Sequence, residues 1–307
     1  MADIDDATTG NIHLKHRLEA LAVQFMVGLF SWLSLDRASA LGGSLARFIG
    51  PRLGVSKQAA VRLEEFFPDR STTDIQTMVA DMWENLGRTV AEFPHLSEID
   101  TTCNNNRIEL VGAEHFEALK KDGRACIFFS AHFANWELVP LAVDQRGFPT
   151  TIAYREANNP VVDRVIRDLR SRAVSAAHVP KGTAGARALL QALKGGQHLG
   201  LLVDQKMNDG IAVPLFGRDA MTAPAIAQLA LKYDAPIVPV HCERLEGARF
   251  RMVIEEPLIV LTTEDRTQDI HKIMCDVNER IEAWVRANPA QWMWVHKRWP
   301  DRQEDGK

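Results

Sequence analysis

The stretch Ala125–Ser130, with the sequence ACIFFS, decides the fold, because it is a continuous apolar run inside a series of alternating elements. Such runs predict strands that are buried on both faces, as in parallel sheets covered by helices. His132 and Glu137 follow it directly, and the sequence from Trp136 to Asp144 has the pattern of a helix. We therefore predict a buried strand, a loop with polar side chains and a helix, in that order.

Strand and helix patterns alternate outward from this stretch and predict an α/β fold. We expect a central mixed sheet flanked by helices, with a helical region before it. The predicted boundaries are an N-terminal helix in residues 1–36, a helical region in residues 37–104 and an α/β core in residues 105–302. Further strands are predicted at Arg107 to Val111, Thr150 to Tyr154, His198 to Val203, Pro236 to Glu243 and Phe250 to Glu255.

The composition fits a folded chain and argues against nucleic acid as a partner. The chain has 307 residues, of which 46% are hydrophobic and 25% charged, and its formal net charge is −4. Proteins that bind nucleic acid through their whole surface are usually strongly basic, so this charge disfavours that class. The four cysteines are widely spaced, so we expect neither a zinc site nor a disulfide framework, and a reducing, cytoplasmic setting.

An apolar run near the N-terminus suggests contact with a membrane. It extends over 16 residues from Ala20 to Leu35 and contains Trp32 near its end. A helix needs about 20 apolar residues to span a bilayer comfortably, so this run is short. Lys15, Arg17 and Arg37 flank the run, which is typical of an interfacial helix or a short tilted anchor. A helix buried in the core is the alternative.

His132 is the best candidate for a catalytic base. It follows a buried strand, and functional groups of open α/β sheets collect at the carboxyl ends of strands. A histidine acts as a base when one ring nitrogen is free and a carboxylate on the other fixes its tautomer. Glu137, five residues later, can supply that carboxylate across the bend into the helix. The alternative is a histidine that only caps the helix or packs against Trp136.

Motifs of other enzyme classes are missing from the sequence. It has no G-x-S-x-G nucleophile elbow, no HExxH, no Walker A motif and no GxGxxG. We therefore expect no cofactor and no metal, and a histidine-based reaction without a covalent enzyme intermediate.

Four segments, taken in order, carry the strongest functional signal. They are residues 130–137 (SAHFANWE); Tyr154-Arg155 with Asn158-Asn159-Pro160; residues 202–205 (LVDQ) with residues 213–217 (VPLFG); and Pro289 with residues 291–299 (QWMWVHKRW). Together they resemble the blocks of the bacterial lipid A late acyltransferases, the lauroyl- and myristoyltransferases within the lysophospholipid acyltransferase superfamily. The resemblance covers roughly residues 18 to 302.

The resemblance implies an enzyme at the cytoplasmic face of the inner membrane. It would move a fatty acyl chain from acyl carrier protein to a hydroxyl of a lipid A precursor, with His132 as base and Glu137 as its partner. The acceptor is an anionic glycolipid, and arginine suits phosphate through its bidentate fork. The substrate-binding residues expected from the blocks and the basic residues near them are Asn135, Trp136, Arg155, Arg170, Arg172, Asp204, Gln205, Phe216, His296 and Arg298.

The details of several of these residues stay open at this stage. Asp204 either holds an arginine or caps a loop, while Phe216 and Gly217 are expected to form a close-packed turn beside the acyl groove. The C-terminal tryptophans suit either an interfacial belt or a terminal helix packed on the sheet with His296 buried. An acyltransferase of the same superfamily acting on a lysophospholipid, an ornithine-type lipid or another glycolipid is the alternative enzyme. The alternative that is not an enzyme is a membrane-binding scaffold without catalytic activity.

Overall fold

The apolar stretch forms strand β2 (Ile127–Ser130), which lies inside a seven-stranded sheet in the computed structural model that describes residues 14–299. All four residues of β2 are buried, and parallel neighbours pair with it on both sides. Phe128 and Phe129 belong to two different hydrophobic clusters, one on each face of the sheet. This is the double burial that a continuous apolar strand predicts.

The sheet is mixed, which confirms the predicted fold class. Its strand order is β1-β9-β8-β2-β5-β3-β4, and β8 pairs antiparallel with β9, so β1 and β9 run against the other strands. The remaining strands are β1 (Ile108–Val111), β3 (Thr150–Tyr154), β4 (Ala177–Pro180), β5 (His198–Leu202), β8 (Ile237–Arg244) and β9 (Phe250–Ile254), and a separate hairpin contains β6 (Ile211–Leu215) and β7 (Arg218–Thr222).

Helices cover both faces of the sheet. Those that pack with Phe128 include α5 and α6, and those that pack with Phe129 include α3, α4, α8, α9 and α10. The helices are α1 (Leu14–Trp32), α2 (Leu35–Ile49), α3 (Val55–Phe66), α4 (Thr72–Glu92), α5 (Ala113–Asp122), α6 (Leu138–Gln145), α7 (Pro160–Ala173), α8 (Thr183–Lys194), α9 (Ala225–Tyr233) and α10 (Arg266–Ala287). The helical N-terminal region therefore shares a hydrophobic core with the sheet.

The C-terminal segment differs from both sequence expectations. After a short 3-10 turn at Pro289–Gln291 it is neither a helix nor an exposed belt, and Trp292, Trp294 and Trp299 are buried. Their rings pack against one another and against Phe66 and Phe216. The indoles are thus covered by aromatic side chains of α3 and the hairpin, so they need no lipid to remove them from water.

A buried polar network joins the helical region to the sheet. Glu92, at the end of α4, is inaccessible to solvent and forms an ion pair with Arg244 of β8. It also accepts hydrogen bonds from Ser39 of α2 at 2.7 Å and from the side chain of Asn135 at 2.8 Å. Three separate parts of the chain therefore converge on this carboxylate.

We predict that Glu92→Ala destabilises the protein by about 3–5 kcal/mol, because it leaves the Arg244 guanidinium buried without its counter-charge. Glu109→Ala, which removes a partly exposed partner of Arg251, is the matched control and is expected to cost at most about 1 kcal/mol. Urea unfolding followed by tryptophan fluorescence measures both. Equal effects of the two substitutions would show that the network does not stabilise the fold.

Candidate active site

The edge formed by the carboxyl ends of β2 and β5 places His132 beside Asp204. The two strands are parallel neighbours, so the residues that follow them lie close together. The Nδ1 atom of His132 lies 2.8 Å from Oδ1 of Asp204, and the backbone amide of His132 donates to Oδ2 at 2.9 Å. The carboxylate therefore holds both the main chain and the ring of the histidine.

Asp204 is fully buried and also accepts a hydrogen bond from the indole nitrogen of Trp292 at 2.9 Å. Burial by itself raises the pKa of this carboxyl, but the charge and the hydrogen bonds of His132 outweigh it and hold the pKa well below its ordinary value. An ionised carboxylate only accepts hydrogen bonds, so the proton between the two side chains belongs to Nδ1 of His132. The Nε2 atom is then the nitrogen that can take a proton from a substrate.

Glu137 occupies a different place from the one expected. The sequence predicts this carboxylate on the second nitrogen of His132, where the structure has Asp204 instead. Glu137 begins α6 and accepts a bidentate pair of hydrogen bonds from Arg170 of α7, at 3.0 and 2.6 Å, together with one from the indole of Trp136. The bend into α6 turns its carboxylate toward α7, and a part for Glu137 in the reaction stays a prediction.

The loop that carries His132 is held by hydrogen bonds from α4 and from the C-terminal segment. Ala134 adopts a left-handed backbone conformation with φ of 48°, and its amide donates to the carbonyl of Gln291 at 2.8 Å. Its carbonyl accepts from the hydroxyl of Thr89 at 3.0 Å. Contacts from α4 and from the C-terminal segment thus hold the sharp turn between His132 and Glu137.

A cavity of about 430 Å³ opens beside His132, which is a usual size for a site that binds a small molecule or a lipid chain. It lies between α6 and the face of the sheet that carries Phe128, and His132, Trp136 and Glu137 line it together. Apolar side chains form much of its wall, namely Phe128, Val139, Pro140, Val143, Ile152, Leu201 and Leu202. Such a wall suits a hydrocarbon chain.

Cationic and polar side chains line the same cavity. Arg155 and Lys181 are exposed, and the ammonium group of Lys181 donates to the side chain of Gln205 at 3.0 Å. Desolvation of its ammonium group at the cavity lowers the pKa of Lys181; the negative charge of Asp204 opposes this shift, and the charge of Arg155 adds to it. The cavity therefore joins an apolar wall to a set of groups that favour anions.

His296 lies against the ring of His132, with the ring centroids 5.1 Å apart. Burial, and then the charge of His132, lower the pKa of His296 to about 4, so its ring is neutral at pH 7. Among the residues that the structure describes, its Nε2 atom is buried without a hydrogen-bond partner. His296 is therefore buried, as one of the two sequence expectations for the C-terminal segment predicts, but its Nε2 atom makes no hydrogen bond to the described residues.

The other predicted substrate-binding residues are divided between the cavity and its support. Trp136, Arg155, Arg170 and Gln205 line the cavity. Asn135 is buried below the cavity, where its side chain donates to Glu92, and Arg172 is exposed on α7 outside the cavity lining.

Phe216 and Gly217, with φ of 54° and 72°, form the tight turn of the β6–β7 hairpin, as expected. Phe216 packs in the aromatic cluster and not in the cavity wall. Arg298 is fully buried and donates to the carbonyl of Met221 and the hydroxyl of Thr222.

Sequence reasoning missed three contributors to the site. Trp292 was assigned to a belt or a helix, although it donates to Asp204. Arg244, which pairs with Glu92 below the loop, had no local signal because its partner is 152 positions away. His178 lines the cavity from β4, a strand too short and too exposed to show a clear pattern.

Comparison with known proteins decides the family. Residues 8–301 match the family described as bacterial lipid A biosynthesis acyltransferase. The chain belongs to this family. It is 26% identical over 259 residues to the lipid A biosynthesis myristoyltransferase of Escherichia coli (strain K12), which covers 82% of this chain and 78% of that protein.

Two further relatives widen the comparison. The lipid A biosynthesis lauroyltransferase of Escherichia coli (strain K12) is 24% identical over 317 residues, covering 99% of this chain and 98% of the relative. The phosphatidylinositol mannoside acyltransferase of Mycolicibacterium smegmatis is 22% identical over 199 residues, covering 63% of this chain and 62% of the relative. The family assigns the chain to the acyltransferases of lipid A biosynthesis, as the four segments predicted.

We predict that Asp204→Asn lowers acyl transfer by about 10²–10⁴-fold, because an amide no longer fixes the proton on Nδ1 of His132. Nitrogen NMR of the imidazole is expected to show loss of the Nδ1–H tautomer in the same variant. Asp209→Asn, at an exposed position, is the control and should leave both readouts unchanged. Full activity of Asp204→Asn would contradict the assignment.

Proposed function

We propose that this protein transfers a fatty acyl chain from the thioester of acyl carrier protein to a hydroxyl of a lipid A precursor, with His132 as the general base. One observation carries the proposal: His132, its Nδ1 engaged by Asp204, lines a cavity with an apolar wall and cationic groups. An acyl chain fits the first of these features, and a phosphorylated acceptor or an acidic carrier fits the second.

The proposed reaction needs a single group, His132, that acts first as a base and then as an acid. Nε2 of His132 takes the proton of the acceptor hydroxyl while the hydroxyl oxygen attacks the thioester carbonyl, which gives a tetrahedral oxyanion. The carbon–sulfur bond then breaks, the ester remains on the acceptor, and the proton passes from His132 to the leaving thiolate. Asp204 stabilises the imidazolium between these steps, since it is ionised and contacts Nδ1.

Glu137 and Arg170 have a supporting part in this proposal. Their bidentate ion pair joins the loop after β2 to α7, and both side chains line the cavity. Because Glu137 neutralises Arg170, the exposed Arg155 and Lys181 are the better candidates to meet the phosphate of an acceptor. In this role Glu137 does not contact the ring of His132. Asp204 is then the residue that orients and stabilises the base.

We also infer that α1 lies on the cytoplasmic face of the inner membrane. Leu18, Leu21, Phe25 and Trp32 follow a helical spacing, and each is more than half exposed; Trp32 reaches 85%. Within residues 14–299, no helix is both long and apolar enough to cross a bilayer. An exposed apolar face of this kind is typical of a helix in the membrane interface, and burying it in lipid would remove large side chains from water.

A different glycolipid acceptor is the second candidate. The similarity to a phosphatidylinositol mannoside acyltransferase favours it, because that relative is named for a glycolipid other than lipid A. Mass spectrometry of lipids from cells with and without the protein distinguishes the two: a changed lipid A profile supports the first proposal, and a change confined to another glycolipid supports the second.

We predict that His132→Ala lowers transfer from acyl carrier protein by about 10²–10⁴-fold through loss of the base, without unfolding the chain. His271→Ala, on the exposed side of α10, is the control and should retain full activity. Thermal unfolding establishes that both variants are folded. Transfer that survives in a folded His132→Ala protein would rule out the proposed base.

We predict that the double substitution Phe25→Ser and Trp32→Ser weakens binding to lipid vesicles by about tenfold or more, since two large exposed apolar side chains are lost. The matched control is Ile259→Ser with Leu261→Ser, because these residues are also exposed but lie outside α1. Co-sedimentation with vesicles of phosphatidylethanolamine and phosphatidylglycerol measures binding. Equal losses in the two double variants would show that α1 is not the membrane contact.

A further inference from the structure

Gly200 lies in the middle of β5, between two paired neighbours. It is in register with Phe128 of β2 and with Ile152 of β3, and paired residues of parallel strands share a face. Both partners line the cavity, and so does Gly200. Its φ is not among the positive values of the chain, so the backbone does not require glycine here.

The space above Gly200 is bordered closely by side chains of β3. A Cβ atom built at this position would meet Ile152 at 3.1 Å and Thr150 at 3.4 Å, both on the adjacent strand, and its three nearest atoms include none from α6. Gly200 is also partly exposed, although strands flank it on both sides. The missing side chain therefore leaves the floor of the cavity open between β3 and α6.

The depth of this position matches part of a fatty acyl chain. Phe128, level with Gly200, lies two residues before the end of β2 at Ser130, and His132 follows two residues after that end, so the four residues span at most about 13 Å. An extended hydrocarbon advances about 1.25 Å per carbon, as follows from a C–C bond of about 1.52 Å, so this span holds at most about ten carbons. Thr150 and Val143 line the cavity as well, and Thr150 lies two residues before Ile152 on β3.

We propose that Gly200 determines the length of the acyl chain that this protein transfers, by leaving a passage for the part of the chain that extends below the level of Phe128, at most about ten carbons from the thioester. This inference rests on the proposed function, in which the thioester carbon lies beside His132 and the chain runs along the sheet. A side chain at position 200 projects between Ile152 and α6 and closes the passage. The acyl chain then has to end between His132 and position 200.

The test uses Gly200→Ala and Gly200→Val in the full-length protein. Each variant competes for an equimolar mixture of acyl carrier protein thioesters of even-numbered saturated acids, and mass spectrometry identifies the acylated products. We expect Gly200→Val to shift the preferred chain by about two to four carbons toward shorter acids and Gly200→Ala to shift it less. Gly195→Ala, at the end of α8 and outside this cavity, is the control and should keep the wild-type profile.

A second substitution tests whether the effect is steric. Ile152 is the side chain nearest to the new Cβ atom, so adding Ile152→Ala to Gly200→Val restores part of the lost space. The double variant is expected to accept longer chains again. A folded Gly200→Val protein with an unchanged profile, or with an equal loss for every chain length, overturns the proposal. If Gly200→Val does not fold, Gly200→Ala must still shift the profile toward shorter acids.

Binding of free fatty acids separates this proposal from the proposed function. In the wild-type protein, affinity should rise by about fourfold per methylene until the cavity is full. In Gly200→Val the rise should stop at a shorter acid, and an identical stopping point in both proteins would refute the role of Gly200. Absence of transfer to any lipid A precursor, together with the expected binding series, would refute the proposed function alone.

Discussion

A fully buried carboxylate, that of Asp204, accepts hydrogen bonds from the amide and the imidazole of His132 and from the indole of Trp292. A charge buried without such donors costs several kcal/mol, so the three donors have to be present together. Trp292 comes from the C-terminal segment, His132 follows β2 and Asp204 follows β5. The site is therefore complete only when the segment around Trp292 has folded back onto the sheet.

Two further carboxylates hold the loop that carries His132, each from a different side. Glu92 accepts from Asn135 below the loop and pairs with Arg244 of β8, while Glu137 pairs with Arg170 of α7. The segment from His132 to Glu137 thus connects the sheet to α4 and α7 in addition to carrying the base. His132 faces the cavity as the base, while Asn135 and Glu137 hold the loop in position.

The sequence predicted most of the sheet and the family, but not the contacts within the site. Local composition was sufficient for β3, predicted and found at Thr150–Tyr154, because its β-branched and aromatic residues favour a strand. The sequence predicts only the turn of the β6–β7 hairpin at Phe216 and Gly217, since β6 is a short run that contains Pro214 and β7 begins with the charged Arg218 and Asp219. The partner of His132 was placed on the nearest carboxylate in sequence. Asp204 is 72 positions away and becomes its neighbour only through the pairing of β2 with β5, which no local pattern specifies.

The attachment of α1 has a consequence for how the cavity meets its substrates. Asn159 donates to the carbonyl of His16 at 2.8 Å and to the side chain of Glu19 at 3.1 Å, while Asn158 beside it lines the cavity. A protein that rests on lipid through α1 would consequently hold the edge of its cavity at Asn158 about one helix diameter, roughly 10 Å, from the surface. Its acceptor would then arrive by lateral diffusion in two dimensions, and the reaction rate would follow the surface density of the acceptor in the lipid and not its concentration in the surrounding volume.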